Sequence, residues 1–149
     1  MFFLNTQELE KHIYELHEKL RSATEVIGIF KPLDIYFAEI PPQNFEGVFC
    51  YADEKGYHYG GTERGEIQLN NLTCSLFEVS YWVMSGVTSA MASDFEAKHR
   101  VQGQDIRRIW FEKQIELLGI IGDNYRKRGE IDIDEILKIA PYQDELFKT

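Results

Sequence analysis

The feature that most constrains the fold of this chain is one segment, residues 105–121, which predicts a helix that is apolar on two sides. At about 100° per residue, its apolar side chains fall into two neighbouring sectors: Ile106, Ile109, Trp110, Leu117, Ile120 and Ile121 in one, and Phe111, Ile115 and Leu118 in the other. Such a wide apolar arc is typical of a central helix that several neighbours pack against. We therefore expect this helix to organise the core.

Two polar side chains interrupt that apolar surface. Arg107 and Gln114 are seven residues apart and lie in the gap between the two sectors. A guanidinium keeps its proton at accessible pH, so a partly buried Arg107 needs a carboxylate or several carbonyl oxygens as partners. The other charges of the segment lie on the opposite arc at the spacings of ordinary surface pairs: Asp105, Arg108, Glu112 and Glu116.

Helix-start signals divide the rest of the chain. Capping-box patterns, in which an acidic residue follows the N-cap by three positions, begin at Asn5, Ser75 and Asp132. They predict a first helix that ends near Ala23, a second that kinks or splits at 86–88, and a short last helix that Pro141 stops. We expect a basic turn at 126–129 and a peripheral tail from Tyr142.

Between the first two helices the composition changes to aromatic and β-branched residues with glycines. Strand signals cover residues 35–40, 48–53, 57–62 and 66–69, with a hairpin loop at 54–56. The sequence therefore predicts one α+β domain of 149 residues. It comprises an N-terminal helix, an antiparallel β-meander of three to four strands, and a C-terminal helical layer packed on one sheet face.

Composition restricts the partners. The net charge of −9, from 16 basic and 25 acidic residues, disfavours nucleic acid and favours a basic protein partner. Cys50 and Cys74 stand alone and the histidines are scattered, so we expect reduced, buried thiols, no zinc site and no cofactor. The apolar first four residues lack the basic flank of a signal peptide, and no apolar run could span a bilayer. We expect a cytoplasmic protein that does not bind membranes.

No common catalytic motif is present, because the chain has no phosphate-binding loop, GxSxG elbow or HExxH pattern. One polar constellation does stand out: Glu63, Arg64, Arg100, Asp105, Arg107 and Gln114. We expect Glu63, at a strand end, to pair with Arg107 between the sheet and the helices. Buried, the pair would brace the fold; at a rim, it would form a charged socket for a partner or a small acid.

The order of several short motifs resembles the immunity protein 63 family of bacterial polymorphic toxin systems. The motifs lie between roughly Tyr51 and Leu118: Tyr57-His-Tyr-Gly-Gly-Thr-Glu-Arg-Gly65, Tyr81-Trp82, Arg100, Gln104-Asp105-Ile-Arg107-Arg108, Phe111 and Gln114. The resemblance implies a cytoplasmic inhibitor that binds a cognate toxin domain and has no turnover of its own. It marks as distinctive the polar positions Glu63, Arg64, Asp105, Arg107 and Arg108.

Three functional hypotheses remain open at this point. For a toxin inhibitor, we predict the partner-binding surface at an acidic hairpin and one cation: Asp53, Glu54, Tyr57, Tyr59 and Arg108. The simpler interpretation of that hairpin is a polar tip. The second hypothesis is a small intracellular enzyme with Glu63 or Asp105 as base and Arg107 as anion clamp, and the third is a structural or oligomeric scaffold. The oligomeric state is open.

Overall fold

The computed structural model describes residues 3–40, 42 and 44–148 and has an α+β fold. In chain order the elements are α1 (Thr6–Glu18), α2 (Arg21–Glu25), β1 (Ile35–Tyr36), β2 (Gly47–Asp53), β3 (Gly56–Glu63), β4 (Glu66–Thr73), α3 (Leu76–Lys98), α4 (Arg107–Ile121), α5 (Asp123–Ile139) and a final 3₁₀ turn (Asp144–Phe147). The predicted class is confirmed: an N-terminal helix, a sheet, then C-terminal helices. Of the apolar chain start, Met1 and Phe2 lie outside the described residues.

The four strands form one mixed sheet in the order β1-β2-β3-β4. Strands β2, β3 and β4 form the expected antiparallel meander. Strand β1 is shorter than predicted and pairs with β2 in parallel, through Ile35 with Val48 and Tyr36 with Phe49. Parallel strands ordinarily need a crossover of roughly a dozen or more residues. The short connection between β1 and β2 allows only brief parallel contact.

The tight turns of the meander follow from backbone conformation. At the β3–β4 turn the two central residues, Arg64 and Gly65, have φ angles of 56° and 79°. Two consecutive positive φ angles are typical of the type I′ turn, whose twist matches a two-residue hairpin. At the β2–β3 turn, the carboxylate of Asp53 accepts a hydrogen bond from the backbone N–H of Lys55 at 2.9 Å. Both ends of β3 are therefore fixed by local chemistry.

The chain forms two compact units. The sheet unit comprises Met1–His17 and Pro32–Met84, and the helical unit comprises Glu18–Lys31 and Ser85–Thr149. Each has its own fully buried apolar side chains, among them Leu9, Ile13, Phe49 and Val79 in the sheet unit, and Leu20, Met91, Leu117 and Leu118 in the helical unit. The boundaries between the units fall within α1, between Lys31 and Pro32, and within α3. The expectation of a single domain remains a prediction.

Helix α3 is continuous through 86–88, so the predicted split at these residues was wrong. Its predicted N-cap is present, since the backbone N–H of Glu78 donates to Ser75 Oγ at 3.0 Å. Thr88 is fully buried and its hydroxyl donates to the carbonyl of Ser85 at 3.3 Å. Burial of Thr88 and Met91 outweighs the weak helix propensity of glycine and β-branched residues.

Helix α5 begins at Asp123, so the predicted basic turn at 126–129 was also wrong. Arg126 pairs with Asp123 and Glu130, and Lys127 contacts Asp123 at 3.1 Å. These are the three- and four-residue spacings that stabilise a helix. Gly129 is a packing position, because a Cβ there would lie 2.4 Å from Cδ1 of Leu118 on α4. Close approach of two helices, not a turn, explains this glycine.

Candidate functional site

Arg107 has a carboxylate partner two residues before it. Asp105 accepts hydrogen bonds from Arg107 Nε at 3.2 Å, from Nη2 at 2.9 Å and from the Arg107 backbone N–H at 3.0 Å. The Asp105 side chain is 1% exposed and that of Arg107 is 22% exposed. The guanidinium holds the pKa of Asp105 well below its usual range. The carboxylate is therefore ionised and fully engaged.

The same pair fastens the end of the chain. Arg107 donates to the carbonyl oxygens of Ala140 at 2.8 Å and Pro141 at 2.9 Å. The backbone N–H of Gln143 donates to Asp105 at 2.9 Å, and that of Asp105 donates to the carboxylate of Asp144 at 2.8 Å. We call this set of contacts the tail latch. The tail from Tyr142 lies at the surface, as expected, and it is also anchored, because the N–H of Gln143 and the carboxylate of Asp144 are hydrogen-bonded to Asp105.

Glu63 was the wrong carboxylate to assign to Arg107. It is exposed at the end of β3, and Arg64 is exposed in the type I′ turn that follows. The helical wheel misled the prediction because it placed Asp105 on the arc opposite Arg107. Asp105 precedes the first residue of α4, so its side chain does not follow the helical period.

The other predicted network residues make separate contacts. Arg100 donates to both carboxylate oxygens of Glu96, at 3.0 and 2.9 Å, and the Glu96 side chain is buried. Gln114 is also buried, and its Nε2 donates to the carbonyl of Ser85 on α3 at 3.0 Å. Glu96 was not among the predicted residues, although its four-residue spacing from Arg100 is the spacing of a helical ion pair. Four of the six predicted residues thus lie in three local groups, while Glu63 and Arg64 lie at the exposed end of β3 and in the turn that follows it.

The predicted partner-binding hairpin is mostly engaged inside the sheet unit. Tyr57 is 3% exposed and its hydroxyl accepts a hydrogen bond from the backbone N–H of Leu4 at 2.9 Å. Tyr59 is half-buried beside Trp82, with ring centroids 6.2 Å apart. Asp53 contacts His58 Nε2 at 2.9 Å, and this hydrogen bond lowers the pKa of Asp53. Of the four hairpin residues proposed, Glu54 alone is exposed, so the hairpin offers little contact area.

Arg108 lies beside a cleft in the helical unit. Its guanidinium donates to Asp144 at 2.9 and 3.1 Å and lies over the ring of Tyr142, 4.2 Å from its centroid. The cleft has a volume of about 550 Å³ and lies between α4 and α5. We call it the acidic cleft; its lining residues are Gln104, Arg108, Phe111, Glu112, Ile115, Glu130, Ile133, Asp134, Leu137 and Tyr142.

Strand β4, at one edge of the sheet, exposes three apolar side chains. Ile67, Leu69 and Leu72 are 60%, 47% and 51% exposed. No charged residue occurs between Glu66 and the end of the strand. The register against β3 shifts at Gly61 and Thr62, which indicates a β-bulge. This surface was not predicted, because the strand signal ended at Leu69 and β4 extends to Thr73.

The enzyme alternative gains no support from these contacts. Asp105, the candidate base, has a lowered pKa and accepts hydrogen bonds from side chain and backbone. Arg107, the candidate anion clamp, is occupied by Asp105 and two carbonyl groups. Within residues 3–40, 42 and 44–148, no group of three or more His, Cys, Asp or Glu side chains is arranged to hold a metal ion.

Two smaller findings concern the cysteines and the membrane. Both cysteines are free; Cys50 is buried, which raises its pKa to about 12, whereas Cys74 is exposed, contrary to expectation. Across the part of the chain that the structure describes, every helix is too short or too polar to cross a membrane.

An uncharged sheet edge with exposed apolar side chains is typical of a protein that pairs with another chain. A comparison with protein-family models matches residues 53–135 to the family Immunity protein 63. The match covers more than half of the chain, and the chain belongs to this family. The predicted resemblance is confirmed, and the family implies a non-enzymatic protein with a toxin partner. No curated protein and no solved structure matches the chain.

Proposed function

We propose that this chain neutralises a cognate bacterial toxin domain by binding it stoichiometrically, without turnover of its own. Membership of an immunity family supports a toxin partner. The observation that carries the binding role is the exposed edge strand β4, with Ile67, Leu69 and Leu72 outside the core. A strand edge presents unpaired N–H and C=O groups, which are a template for a strand of another chain.

The stretch of β4 best suited to pairing is Leu69–Thr73. It lies beyond the β-bulge, where the register against β3 is regular from Leu69 onward. A bulge twists an edge strand and discourages pairing, so the regular part is the better template. Main-chain hydrogen bonds along it would supply affinity, while Leu69 and Leu72 would fill apolar pockets of the toxin.

Charge supports a basic toxin. The chain carries a net charge of −9, and opposite charges speed the encounter of two proteins. A toxin and its inhibitor must share a compartment, so we keep the cytoplasm as the proposed location. Association with the toxin should slow as salt concentration rises.

The direct test measures binding to an inactivated toxin domain, taken from any gene next to that of this chain that encodes one. Calorimetry should give a 1:1 complex with the wild-type chain. The β4 double variant Leu69→Lys/Leu72→Lys should weaken binding by about tenfold or more, because truncating or charging a central apolar contact costs at least ~1.4 kcal/mol. As a control, Val26→Lys places one lysine at an exposed apolar position of the helical unit.

The outcomes are distinct. All three positions are exposed, so thermal melts of the variants should match the wild type. Absence of binding by the wild-type chain would overturn the proposed function. Equal affinity of wild type and the β4 double variant would overturn β4 as the binding surface.

Stoichiometric action is tested separately by titrating the active toxin with this chain. Residual toxin activity should fall linearly and reach its minimum at one equivalent. A chain that acted as an enzyme on the toxin would abolish activity at far less than one equivalent.

A further inference from the structure

The acidic cleft of the helical unit combines an apolar floor with carboxylates on both sides. Helices α4 and α5 supply the floor through Phe111, Ile115, Ile133 and Leu137. Of these, Ile115, Ile133 and Leu137 are half-buried. A volume of about 550 Å³ is enough for several side chains of a partner. The cleft is therefore a groove between two helices with an apolar floor and polar sides.

The carboxylates on the two sides of the groove differ in their partners. Glu130 pairs with Arg126 at 2.5 Å. Glu112 on α4 and Asp134 on α5 are exposed, and neither has an ion pair with any residue that the structure describes. The cation at the groove, Arg108, already pairs with Asp144. Negative charge thus faces the groove from both helices without local compensation.

These charges restrict what can fill the groove. An occupant that covered the floor would remove water from Glu112 and Asp134, which is costly unless cations replace it. Lysine or arginine side chains in the occupant would form charge-assisted hydrogen bonds with both carboxylates. The occupant must therefore be apolar on one side and basic along its flanks.

We infer that the acidic cleft binds a basic amphipathic helix of the toxin domain, with apolar side chains on the floor and lysine or arginine at Glu112 and Asp134. This inference rests on the proposed function and adds a second contact surface to β4. A helix laid in a groove between two helices is a common recognition mode, in which anchors spaced three and four residues apart enter the groove. The toxin segment should therefore carry such anchors between basic residues.

The first experiment compares two charge-matched double variants of the full chain. Glu112→Gln/Asp134→Asn removes the two unpaired carboxylates, and Glu116→Gln/Glu135→Gln removes two carboxylates on the same helices outside the cleft lining. Calorimetry against the inactivated neighbouring toxin domain should show about tenfold weaker binding for the first variant. The control should stay within about twofold, because exposed pairs contribute little. The dependence of affinity on salt should also fall in the first variant.

A second experiment needs no toxin. The probe is a synthetic, fluorescently labelled helix of leucine, alanine and lysine, with leucine on one face and lysine on its flanks. Fluorescence anisotropy should show that Glu112→Gln/Asp134→Asn weakens binding of this peptide about tenfold relative to Glu116→Gln/Glu135→Gln. The variant Ile133→Gln should weaken binding as well, because it makes the floor polar.

The two experiments separate the inferences. If the wild-type chain binds toxin and both double variants bind it equally, the cleft inference is overturned while the proposed function stands. If the wild-type chain does not bind toxin, the proposed function fails and the peptide decides whether the cleft accepts a basic helix. Equal peptide affinities of the two double variants would overturn the cleft inference in either case.

Discussion

The tail latch and the acidic cleft are neighbouring parts of the helical unit, and their acidic side chains differ in whether they have partners within the chain. In the tail latch, Asp105 accepts hydrogen bonds from Arg107 and from the backbone of Gln143. In the cleft, Glu112 and Asp134 have no ion pair within the described residues. A buried charge must be satisfied within the chain, whereas an exposed charge beside an apolar floor is available to a partner. The presence or absence of a partner within the chain therefore distinguishes the structural acid of the latch from the two acids proposed to bind the toxin.

The largest expected effect breaks the latch. Asp105→Ala should lower the free energy of unfolding by about 3–5 kcal/mol, because it leaves Arg107 without its carboxylate partner and the backbone N–H of Gln143 without its acceptor. Urea denaturation followed by circular dichroism measures this loss. The comparison variant is Glu54→Ala, an exposed acid that should change stability by less than about 0.5 kcal/mol. A loss of under about 1 kcal/mol for Asp105→Ala would show that the latch is not structural.

The latch should also make stability depend on pH in the acid range. Arg107 depresses the pKa of Asp105 in the folded chain, whereas the unfolded carboxyl titrates near about pH 3.9. The ionised carboxylate thus stabilises the fold fully above that unfolded pKa, and its contribution is lost as the pH falls toward the folded pKa. The stability difference between wild type and Asp105→Asn should be constant above about pH 5 and shrink below about pH 4. A difference that stayed constant to low pH would contradict this linkage.

Local signals predicted much of the fold. The capping box at the first helix is present in full, since the backbone N–H of Asn5 donates to Glu8 at 3.0 Å and that of Glu8 donates to Asn5 at 2.8 Å. The meander and the central helix were also predicted close to their observed bounds. Each of these features depends on residues close together in the sequence. Caps, alternation and turn residues carry that information within a few positions.

Long-range contacts were the part that the sequence could not supply. Arg107 was expected to have a partner, but its contacts with the tail join residues more than thirty positions apart. Alternation predicted β3 without showing that Tyr57 faces inward and meets Leu4. Gly129 looked like a turn residue because glycine favours turns, and only the position of Leu118 reveals its packing role. Tertiary packing decided each of these cases.

Two glycines test the packing of α4 against α5 beside the cleft: Gly119 on α4 and Gly129 on α5. Gly129→Ala should lower the free energy of unfolding by about 1 kcal/mol. Overpacking against Leu118 should destabilise the fold by about 2 kcal/mol. The better helix propensity of alanine should offset about 1 kcal/mol of that loss. Gly119→Ala should instead raise stability by about 0.5–1 kcal/mol, because its Cβ would meet only the flexible side chain of Arg126, at 3.4 Å. Urea denaturation of both variants gives the two signs, and equal signs would contradict the packing.

The smallest expected effect concerns the unpaired acids of the cleft. Glu112→Gln keeps the size of the side chain and removes its charge, so it breaks no ion pair within the described residues. In a chain with a net charge of −9, removal of one negative charge also reduces self-repulsion. Stability should therefore stay within about 0.5 kcal/mol of wild type, with any change in the stabilising direction. A loss comparable to that of Asp105→Ala would mean that Glu112 has a structural role, and the contrast between latch and cleft would then disappear.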